Sequence, residues 1–361
     1  MKYINHKSMK RANSTDIFFL IKNNKQLTRK QIEELTGLSW GAVSNITGEL
    51  VNKGYVIEKK QPSKSKAGRI PKELMINPND FFFIGLDINI SGLKAVLVNL
   101  ENDIKATWNE MPDYTDKDTF LKSILVFIDK IMTGYAKSHI LGMGIAMQGE
   151  IDTNKGMSIN VKQCKGWENV PLLNIISDRF QMPVFIEHDP DCILYAEHIE
   201  KDLSSALLIR LDRSIGMAVM SQGAMIRGKG MLEIGKMVVS SDLNLEDVVT
   251  QNGIERAYMK PFKQIADEAK SNVFYACKIF KEMNKHLSIA IINMSILFNV
   301  KKVILCGNMM EYKDLFCEEL SDAIKKGLNG NLEEIAITDV KNAAYGAALI
   351  AIEKSAYVLD L

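Results

Sequence analysis

Features that would direct a protein out of the cell are scarce in this sequence of 361 residues. Residues 1–16 are polar and basic and contain no apolar segment, so they lack the core of a secretory signal. The most apolar stretch, residues 289–300, is interrupted by polar residues and is too short to cross a bilayer. We therefore expect a cytoplasmic protein.

Cysteine is also sparse, and its spacing argues against two common roles. The sequence has 5 cysteines, and they are scattered without a C-x-x-C pair. This pattern favours buried thiols in a reducing cytosol over disulfides or metal ligands. The cysteines are Cys164, Cys192, Cys277, Cys306 and Cys317.

Length and charge indicate more than one domain. Hydrophobic residues make up 47% of the chain and charged residues 25%, as in ordinary globular proteins, and the length favours two or three domains. The net charge of +1 hides an asymmetry, because residues 1–75 carry 15 basic and 6 acidic residues, whereas the remainder carries 30 and 38. A basic head on an acidic body predicts that the head binds a polyanion, with nucleic acid the leading candidate.

The basic head has the pattern of a helix-turn-helix. Ser14 or Thr15 would cap a first helix, Thr28 would cap a second, and Gly37 would end the second in a left-handed conformation. The third helix carries small polar residues at its start and an apolar stripe behind them, as a recognition helix does. The predicted helices cover residues 13–23, 28–37 and 39–54. The alternative is a three-helix interaction module without a DNA role.

A wing favours the DNA-binding interpretation. Residues 55–60 and 70–76 predict the strands of a β-hairpin around a basic tip, QPSKSKAGR. Tip cations would reach phosphates or a minor groove, Asn45 would pair with adenine, and Trp40 would contact DNA or pack between helices. Arg29 and Lys30 would bind phosphates or form a solvated helix face. The predicted DNA-binding residues are Arg29, Lys30, Ser39, Trp40, Gly41, Ser44, Asn45, Lys64, Lys66 and Arg69.

The body predicts an α/β fold in two similar halves. Each half begins with strands that form hairpins and continues into helices, which is typical of two lobes around a cleft. The predicted domains are a winged helix-turn-helix at residues 1–76, a linker at 77–80, a first α/β lobe at 81–200 and a second lobe at 201–361.

The order of motifs resembles the ROK family (repressor, open reading frame, kinase). These motifs are AGR at residues 67–69, the Gly149 turn, GWENVPL at 166–172, EHD at 187–189, EIG at 233–235 and AYGAA at 344–348. The resemblance implies an actin-like ATPase or sugar-kinase fold in two lobes, usually a dimer. It also implies either sugar phosphorylation or sugar-responsive repression.

Against that pattern, the phosphate loops look degenerate. Asp189 aligns with the family's catalytic base, but Asn89 and Ile90 replace glycines of the first phosphate loop. Asp212 and Arg213 stand where the second loop has small residues. The zinc motif is missing too, because Lys236 replaces its histidine and no cysteines follow. We expect a regulator without cofactor or metal that has lost phosphoryl transfer; the alternative is an ATP-dependent sugar kinase with an added DNA-binding head.

The family's sugar pocket is partly kept. By resemblance, Asp189, Glu233 and Glu255 would hydrogen-bond sugar hydroxyls, and His188 replaces an asparagine. Lys236 would suit an anionic ligand such as a sugar phosphate, or would simply neutralise Glu233, and a neutral sugar is the third option. We expect a repressor of carbohydrate metabolism that binds a carbohydrate-like effector and an operator as a homodimer or dimer of dimers. A DNA-binding scaffold without an effector is a weaker alternative.

Overall fold

The computed structural model describes residues 6–60, 72–135, 139–227, 232–338 and 342–356. The chain forms two compact units. The first comprises Met1–Gly149, Asn154–Glu187 and Ala347–Leu361, and the second comprises Glu150–Thr153 and His188–Gly346. These units differ in extent from the predicted lobes, whose boundaries stay a prediction.

The first unit begins with a winged helix. Its elements are α1 (His6–Asn24), β1 (Leu27–Thr28), α2 (Arg29–Thr36), α3 (Trp40–Asn52), β2 (Val56–Lys60) and β3 (Lys72–Ile76). β2 and β3 pair antiparallel from Val56↔Ile76 to Lys60↔Lys72, which confirms the predicted hairpin. β1, which was not predicted, adds a third strand beside β3. The wing tip, including Lys64, Lys66 and Arg69, lies outside the described residues.

Local capping explains where the helices of the winged helix begin and end. Thr28 Oγ1 accepts a hydrogen bond from the Gln31 amide (3.3 Å), and Gln31 Oε1 accepts one from the Thr28 amide (2.9 Å), as a capping box requires. Gly37 ends α2 with φ 69°. The predicted cap of α1 is wrong, because Ser14 and Thr15 are buried inside that helix. The preceding polar residues contain no helix breaker, so the helix extends back beyond the first apolar position.

Side-chain hydrogen bonds connect the winged helix to the rest of the first unit. Asn77 Nδ2 donates hydrogen bonds to the Gly54 carbonyl (2.8 Å) and to Asp80 Oδ2 (2.7 Å). Asn99 Nδ2 donates to the Pro78 carbonyl (2.9 Å). The predicted linker at residues 77–80 is therefore held by side chains on both sides.

The next part of the chain forms the five-stranded sheet of the first unit. The next elements in chain order are β4 (Phe82–Asn89), β5 (Gly92–Asn99), β6 (Ile104–Glu110), α4 (Lys117–Met132), β7 (Ile140–Met147), β8 (Glu150–Asp152), β9 (Met157–Asn160), β10 (Glu168–Val170), α5 (Leu172–Phe180) and β11 (Val184–His188). The sheet order is β11-β7-β4-β5-β6, and β8, which lies outside this sheet, belongs to the second unit. β6 was not predicted, because its alternating exposed and half-buried side chains on a sheet edge give a weak hydrophobic signal.

The second unit contains a sheet of similar topology. Its elements are α6 (Asp189–Lys201), β12 (Ala206–Leu211), β13 (Ile215–Ser221), β14 (Ala224–Met225), β15 (Val238–Ser240), β16 (Leu243–Asn244), α7 (Leu245–Val249), α8 (Gln251–Tyr258), α9 (Phe262–Lys270), α10 (Phe274–Phe298), β17 (Lys302–Cys306), α11 (Cys317–Gly327) and β18 (Glu334–Ile337), with 3-10 helices at Ile234–Lys236 and Asn308–Leu315. The order β18-β17-β12-β13-β14 resembles that of the first sheet, because the central strand of each (β4 or β12) has an antiparallel neighbour (β5 or β13) on one side and a parallel neighbour (β7 or β17) on the other. This resemblance confirms the predicted similarity of the two halves. A last helix, α12 (Asn342–Ala356), ends the described chain.

Two helices of the second unit have distinctive starts. α6 begins at Asp189, and Pro190 stands in its first turn, where its fixed φ suits a helix and its missing N–H costs nothing. A 3-10 helix up to Leu315 precedes α11, which begins at Cys317. None of the helices in the described ranges combines the length and apolarity needed to cross a bilayer.

Candidate DNA-binding surface and effector site

The first turns of α3 present a polar surface to solvent. Ser39, Trp40, Gly41 and Asn45 are exposed, and Ser44 is half-buried. The opposite face of α3, with Val43, Ile46, Thr47 and Leu50, is buried. Trp40 is 52% exposed, so it does not fill the space between helices. The helix therefore offers small polar side chains and one indole to a partner.

Gly41 has no internal role that the described residues show. A Cβ at this position would meet no described atom within 4 Å, and the same holds for Gly48, two turns further along α3. Glycine inside a helix costs roughly 0.5–1 kcal/mol relative to alanine. A glycine without a packing reason on an exposed helix face is consistent with close approach of another molecule.

The two cations predicted for phosphate contact differ in their surroundings. Arg29 Nε donates to Thr47 Oγ1 (2.8 Å), and its Nη2 lies 2.8 Å from Glu58 Oε1. A second cation, Lys72, also pairs with Glu58, and hydrogen bonds from Lys72 and Arg29 lower the pKa of Glu58. Arg29 thus ties α2 to α3 and the wing. Lys30, in contrast, is exposed, and its ammonium lies 4.0 Å from a Glu34 oxygen, at the outer limit of an ion pair. Of the two, Lys30 is the better placed for a phosphate.

The candidate effector residues begin at the start of α6. His188 and Asp189 are buried, and His188 Nε2 lies 3.5 Å from Asp189 Oδ1. The other carboxylate oxygen of Asp189 accepts a hydrogen bond from Arg210 Nη1. The carboxylate predicted to stand at the base position is therefore engaged by an arginine, a partner that the sequence did not predict. The available signal was a charged residue at the end of the apolar strand ALLIRL.

Lys236 is exposed and pairs with one carboxylate. It forms an ion pair with Glu233 three residues earlier, and this hydrogen bond, helped by the charges of Glu150 and Glu246, raises the pKa of Lys236. The pairing fits the expectation that Lys236 neutralises Glu233.

Close glycine contacts bring these segments onto one part of the second unit. A Cβ on Gly216 would lie 2.9 Å from Pro190 Cγ and 3.8 Å from His188 Cε1. A Cβ on Gly235 would lie 3.1 Å from Ile215 Cγ2 and 3.3 Å from a Glu246 oxygen. The start of α6, the start of β13 and the Ile234–Lys236 turn are therefore in direct contact.

Glu255 has a different neighbourhood. Its Oε1 accepts a hydrogen bond from the Phe262 amide (2.8 Å) at the first residue of α9. The preceding residue, Pro261, has no side-chain acceptor, so Glu255 supplies a cap from α8. Its predicted effector role stays a prediction, and the observed contact is structural.

Side chains form hydrogen bonds within both segments that the sequence predicts to be degenerate phosphate loops. Asp212 Oδ1 accepts a hydrogen bond from the Asn308 amide, which is the first amide of the Asn308–Leu315 helix. In the first hairpin turn, Asn89 Oδ1 accepts hydrogen bonds from the amide (3.0 Å) and hydroxyl (2.7 Å) of Ser91. The Asp212 carboxylate therefore occupies the first amide of this helix, and Asn89 is engaged within its own turn. Among the described residues no group of three His, Cys, Asp or Glu side chains is arranged to hold a metal ion.

A winged helix joined to an α/β body built from two similar sheets is the architecture of a regulator with a DNA-binding head. Residues 83–354 match the ROK family. The chain belongs to the ROK family.

The relatives include regulators and kinases. The chain is 25% identical over 359 residues to the xylose repressor of Caldicellulosiruptor bescii (89% of each chain) and 23% identical over 336 residues to the DNA-binding transcriptional dual regulator NagC of Escherichia coli K12 (84% of this chain, 82% of NagC). It resembles the crystal structure of a ROK family transcriptional regulator, a homologue of the E. coli MLC protein, with a TM-score of 0.83 and 18% identity over 98% of both chains. A ROK family glucokinase from Streptomyces griseus matches 74% of this chain and 98% of its own, with a TM-score of 0.60 and 17% identity. These similarities confirm the predicted fold class.

Proposed function

We propose that this protein is a DNA-binding transcriptional repressor of the ROK type, whose second unit binds a carbohydrate-like effector and does not transfer phosphate. One observation carries most weight. The same chain presents an exposed recognition helix and a kinase-like body in which an arginine engages the base position. Relatives named as xylose repressor and N-acetylglucosamine repressor support this function.

The recognition helix is the part of the proposal that is tested most directly. Asn45 is exposed on α3, and an asparagine amide can pair bidentately with adenine in the major groove. Asn45→Ala should relax base preference at one position per half-site and cost about 1–3 kcal/mol against the preferred base. An operator titration against single-base variants measures this. Lys30→Ala is the control, since the loss of a phosphate contact lowers the affinity for all sequences alike and reduces the salt dependence of binding. If Asn45→Ala weakened all sequences equally, α3 would not be the reading helix.

The absence of phosphoryl transfer is a separate part of the proposal. It is supported by the ion pair between Arg210 and Asp189 and by the hydrogen bond from the Asn308 amide to Asp212. A general base must be able to receive a hydroxyl proton, and phosphates need open amides. An ATP-dependent assay over hexoses, pentoses and N-acetylhexosamines should show no turnover above background. Turnover would establish the alternative, a sugar kinase with a DNA-binding head.

For the effector, the surroundings of Lys236 favour an uncharged polyhydroxyl compound over a sugar phosphate. Hydrogen bonds to paired carboxylates hold neutral hydroxyls, whereas a phosphate would face Glu150, Glu233 and Glu246. Thermal unfolding with D-xylose, D-glucose, N-acetyl-D-glucosamine and their phosphates tests this, because a ligand of the native state raises the melting temperature. Stabilisation by the phosphates alone would reverse the assignment. Stabilisation by none of them would favour a DNA-binding scaffold.

We place the protein in the cytoplasm as a homodimer. The thiols of Cys164, Cys192 and Cys306 are buried, and the five cysteines, all within the described residues, form no disulfide with one another, as suits a reducing compartment. A single recognition helix per chain gains specificity when a two-fold dimer reads a pseudo-palindromic operator. Light scattering of the free protein and of its operator complex gives the number of chains in each. A complex with one chain per operator would refute the dimer.

A further inference from the structure

Arg210 connects two carboxylates of the second unit, one at the start of α6 and one directly after the end of β12. Its Nη1 donates to Asp189 Oδ2, and its Nε donates to Asp212 Oδ2 at 2.6 Å. All three side chains are largely buried, with exposed fractions of 12% for Arg210, 7% for Asp189 and 14% for Asp212. Burial weakens solvent screening, so these contacts hold the carboxylates in one orientation.

The connection continues beyond Asp212. The second oxygen of Asp212 accepts a hydrogen bond from the Asn308 amide, at the start of the 3-10 helix Asn308–Leu315. Immediately before it, Gly307 has φ 108°, and a Cβ there would overlap the Leu211 carbonyl. The Leu211–Asp212 and Gly307–Asn308 segments are thus packed too closely to move independently.

Only arginine can make both contacts in this geometry. Its guanidinium is a rigid planar fork whose Nε and Nη1 donors point in fixed and different directions. A lysine ammonium is a point charge on a flexible stem and would serve one carboxylate well and the other poorly. Arg210 therefore coordinates two sites at once rather than simply balancing charge.

We propose that Arg210 is a positioning residue of the effector site, which orients the Asp189 carboxylate toward effector hydroxyls and transmits its occupancy through Asp212 to the Asn308 turn. The effector half of this inference rests on the proposed function. A hydroxyl bound to Asp189 shares the carboxylate with Arg210, so its arrival shifts the contact between the two side chains. Any shift of the guanidinium then changes its hold on Asp212 and, through it, on the Asn308 amide.

The first arm of the test needs no ligand. Hydrogen exchange of residues 308–315 is compared between the wild-type protein and Arg210→Met, Arg210→Lys and Asp212→Asn. Arg210→Met should speed exchange in this segment by about tenfold or more, because the restraint on Asp212 is lost. Asp212→Asn keeps an acceptor for the Asn308 amide and should change less. Arg179→Met, which breaks an exposed ion pair with Asp129 in the first unit, is the matched control. Unchanged exchange in a folded Arg210→Met protein would overturn the connection to Asn308.

The second arm uses D-xylose, D-glucose and N-acetyl-D-glucosamine as probes, measured by calorimetry and by hydrogen exchange. For a sugar that binds the wild type, Arg210→Met should lose about tenfold or more in affinity, as expected when a charge-assisted contact is removed. Arg210→Lys should recover part of the affinity without the sugar-dependent change at residues 308–315. This split separates positioning from simple structural support. Wild-type affinity and response in Arg210→Met would overturn the proposal.

The two arms keep the two proposals distinguishable. If none of these sugars binds the wild-type protein, the effector function and the effector half of this inference fail together. The ligand-free exchange measurement then still decides whether Arg210 holds the Asp212–Asn308 contact. If sugars bind and the hydrogen exchange of Arg210→Met stays at the wild-type rate, the role proposed for Arg210 is wrong and the proposed effector function stands.

Discussion

At the scale of single residues, a substitution at Gly41 should affect folding stability and operator binding in opposite directions. An alanine there would gain helix propensity and, as far as the described residues show, would meet no atom. We expect Gly41→Ala to raise the free energy of unfolding by about 0.5–1 kcal/mol and to weaken operator binding, because its methyl group stands on the surface that approaches DNA. Chemical denaturation and an operator titration give the two quantities.

Gly37→Ala is the matched contrast. Its φ of 69° is left-handed, so the same added methyl group strains the backbone and should lower stability by about 1 kcal/mol. If Gly41→Ala left operator affinity unchanged, this face of α3 would not meet DNA closely.

Glu255 is a second residue at which structural and functional roles compete. Its carboxylate accepts a hydrogen bond from the Phe262 amide, one of the amides at the start of α9 that have no acceptor within the helix. We expect Glu255→Ala to lower the free energy of unfolding by about 0.5–2 kcal/mol, as other lost helix caps do, and Glu255→Gln to lose less. Thermal unfolding of both variants checks this. A loss of sugar binding with unchanged stability would instead make Glu255 an effector ligand.

At the scale of elements, the contact between α1 and the turn after β5 makes stability depend on pH. Lys22 Nζ donates to Asn102 Oδ1 (2.8 Å), and burial lowers the pKa of Lys22 from 10.5 to about 7, against the opposing charge of Glu101. Between these values the folded chain binds fewer protons than the unfolded chain. Stability should therefore rise from pH 7 toward pH 10, by up to about 1.4 kcal/mol per pH unit.

Lys22→Met removes this titration and should flatten the pH dependence while raising stability below pH 7. Lys10→Met is the control, since Lys10 lies on the same helix in an exposed ion pair with Glu49. Denaturation series from pH 6 to pH 10 compare the three proteins. An equal slope in the wild type and Lys22→Met would show that Lys22 is solvated.

The elements also show what the sequence can predict. Local signals placed the caps at Thr28 and Gly37 and the β2–β3 hairpin, because these depend on residues near each other in the chain. The edge strand β6 was not predicted because half-exposed strands lack a strong apolar alternation. The Asp189–Arg210 pair was not predicted for a different reason. A contact between a helix start and a strand end depends on packing, which no local pattern encodes.

At the scale of the whole molecule, the proposed DNA-binding surface and the proposed effector site belong to different units. The winged helix lies in the first unit, and Asp189, Arg210 and Glu233 lie in the second. An effector changes operator affinity only if it binds one of two arrangements of the protein more tightly. The side-chain hydrogen bonds of Asn77 and Asn99 hold the linker to both the head and the first sheet, so they would transmit a movement of that sheet to the head.

This arrangement leads to a prediction about coupling. Asp189→Ala and Glu233→Ala should leave operator affinity intact, because neither residue lies in the winged helix, and should abolish the response to a sugar that binds the wild type. In the wild type the coupling should amount to roughly 1–3 kcal/mol, or about 5–150-fold in operator affinity. Operator titrations with and without the sugar measure it on all three proteins. Glu333→Ala is the control, since this exposed carboxylate of the second unit lies 3.8 Å from Lys301 and should keep the full response. A full response in both effector-site variants would place the effector elsewhere. A loss of operator binding without sugar would instead mean that these carboxylates maintain the fold on which the winged helix depends.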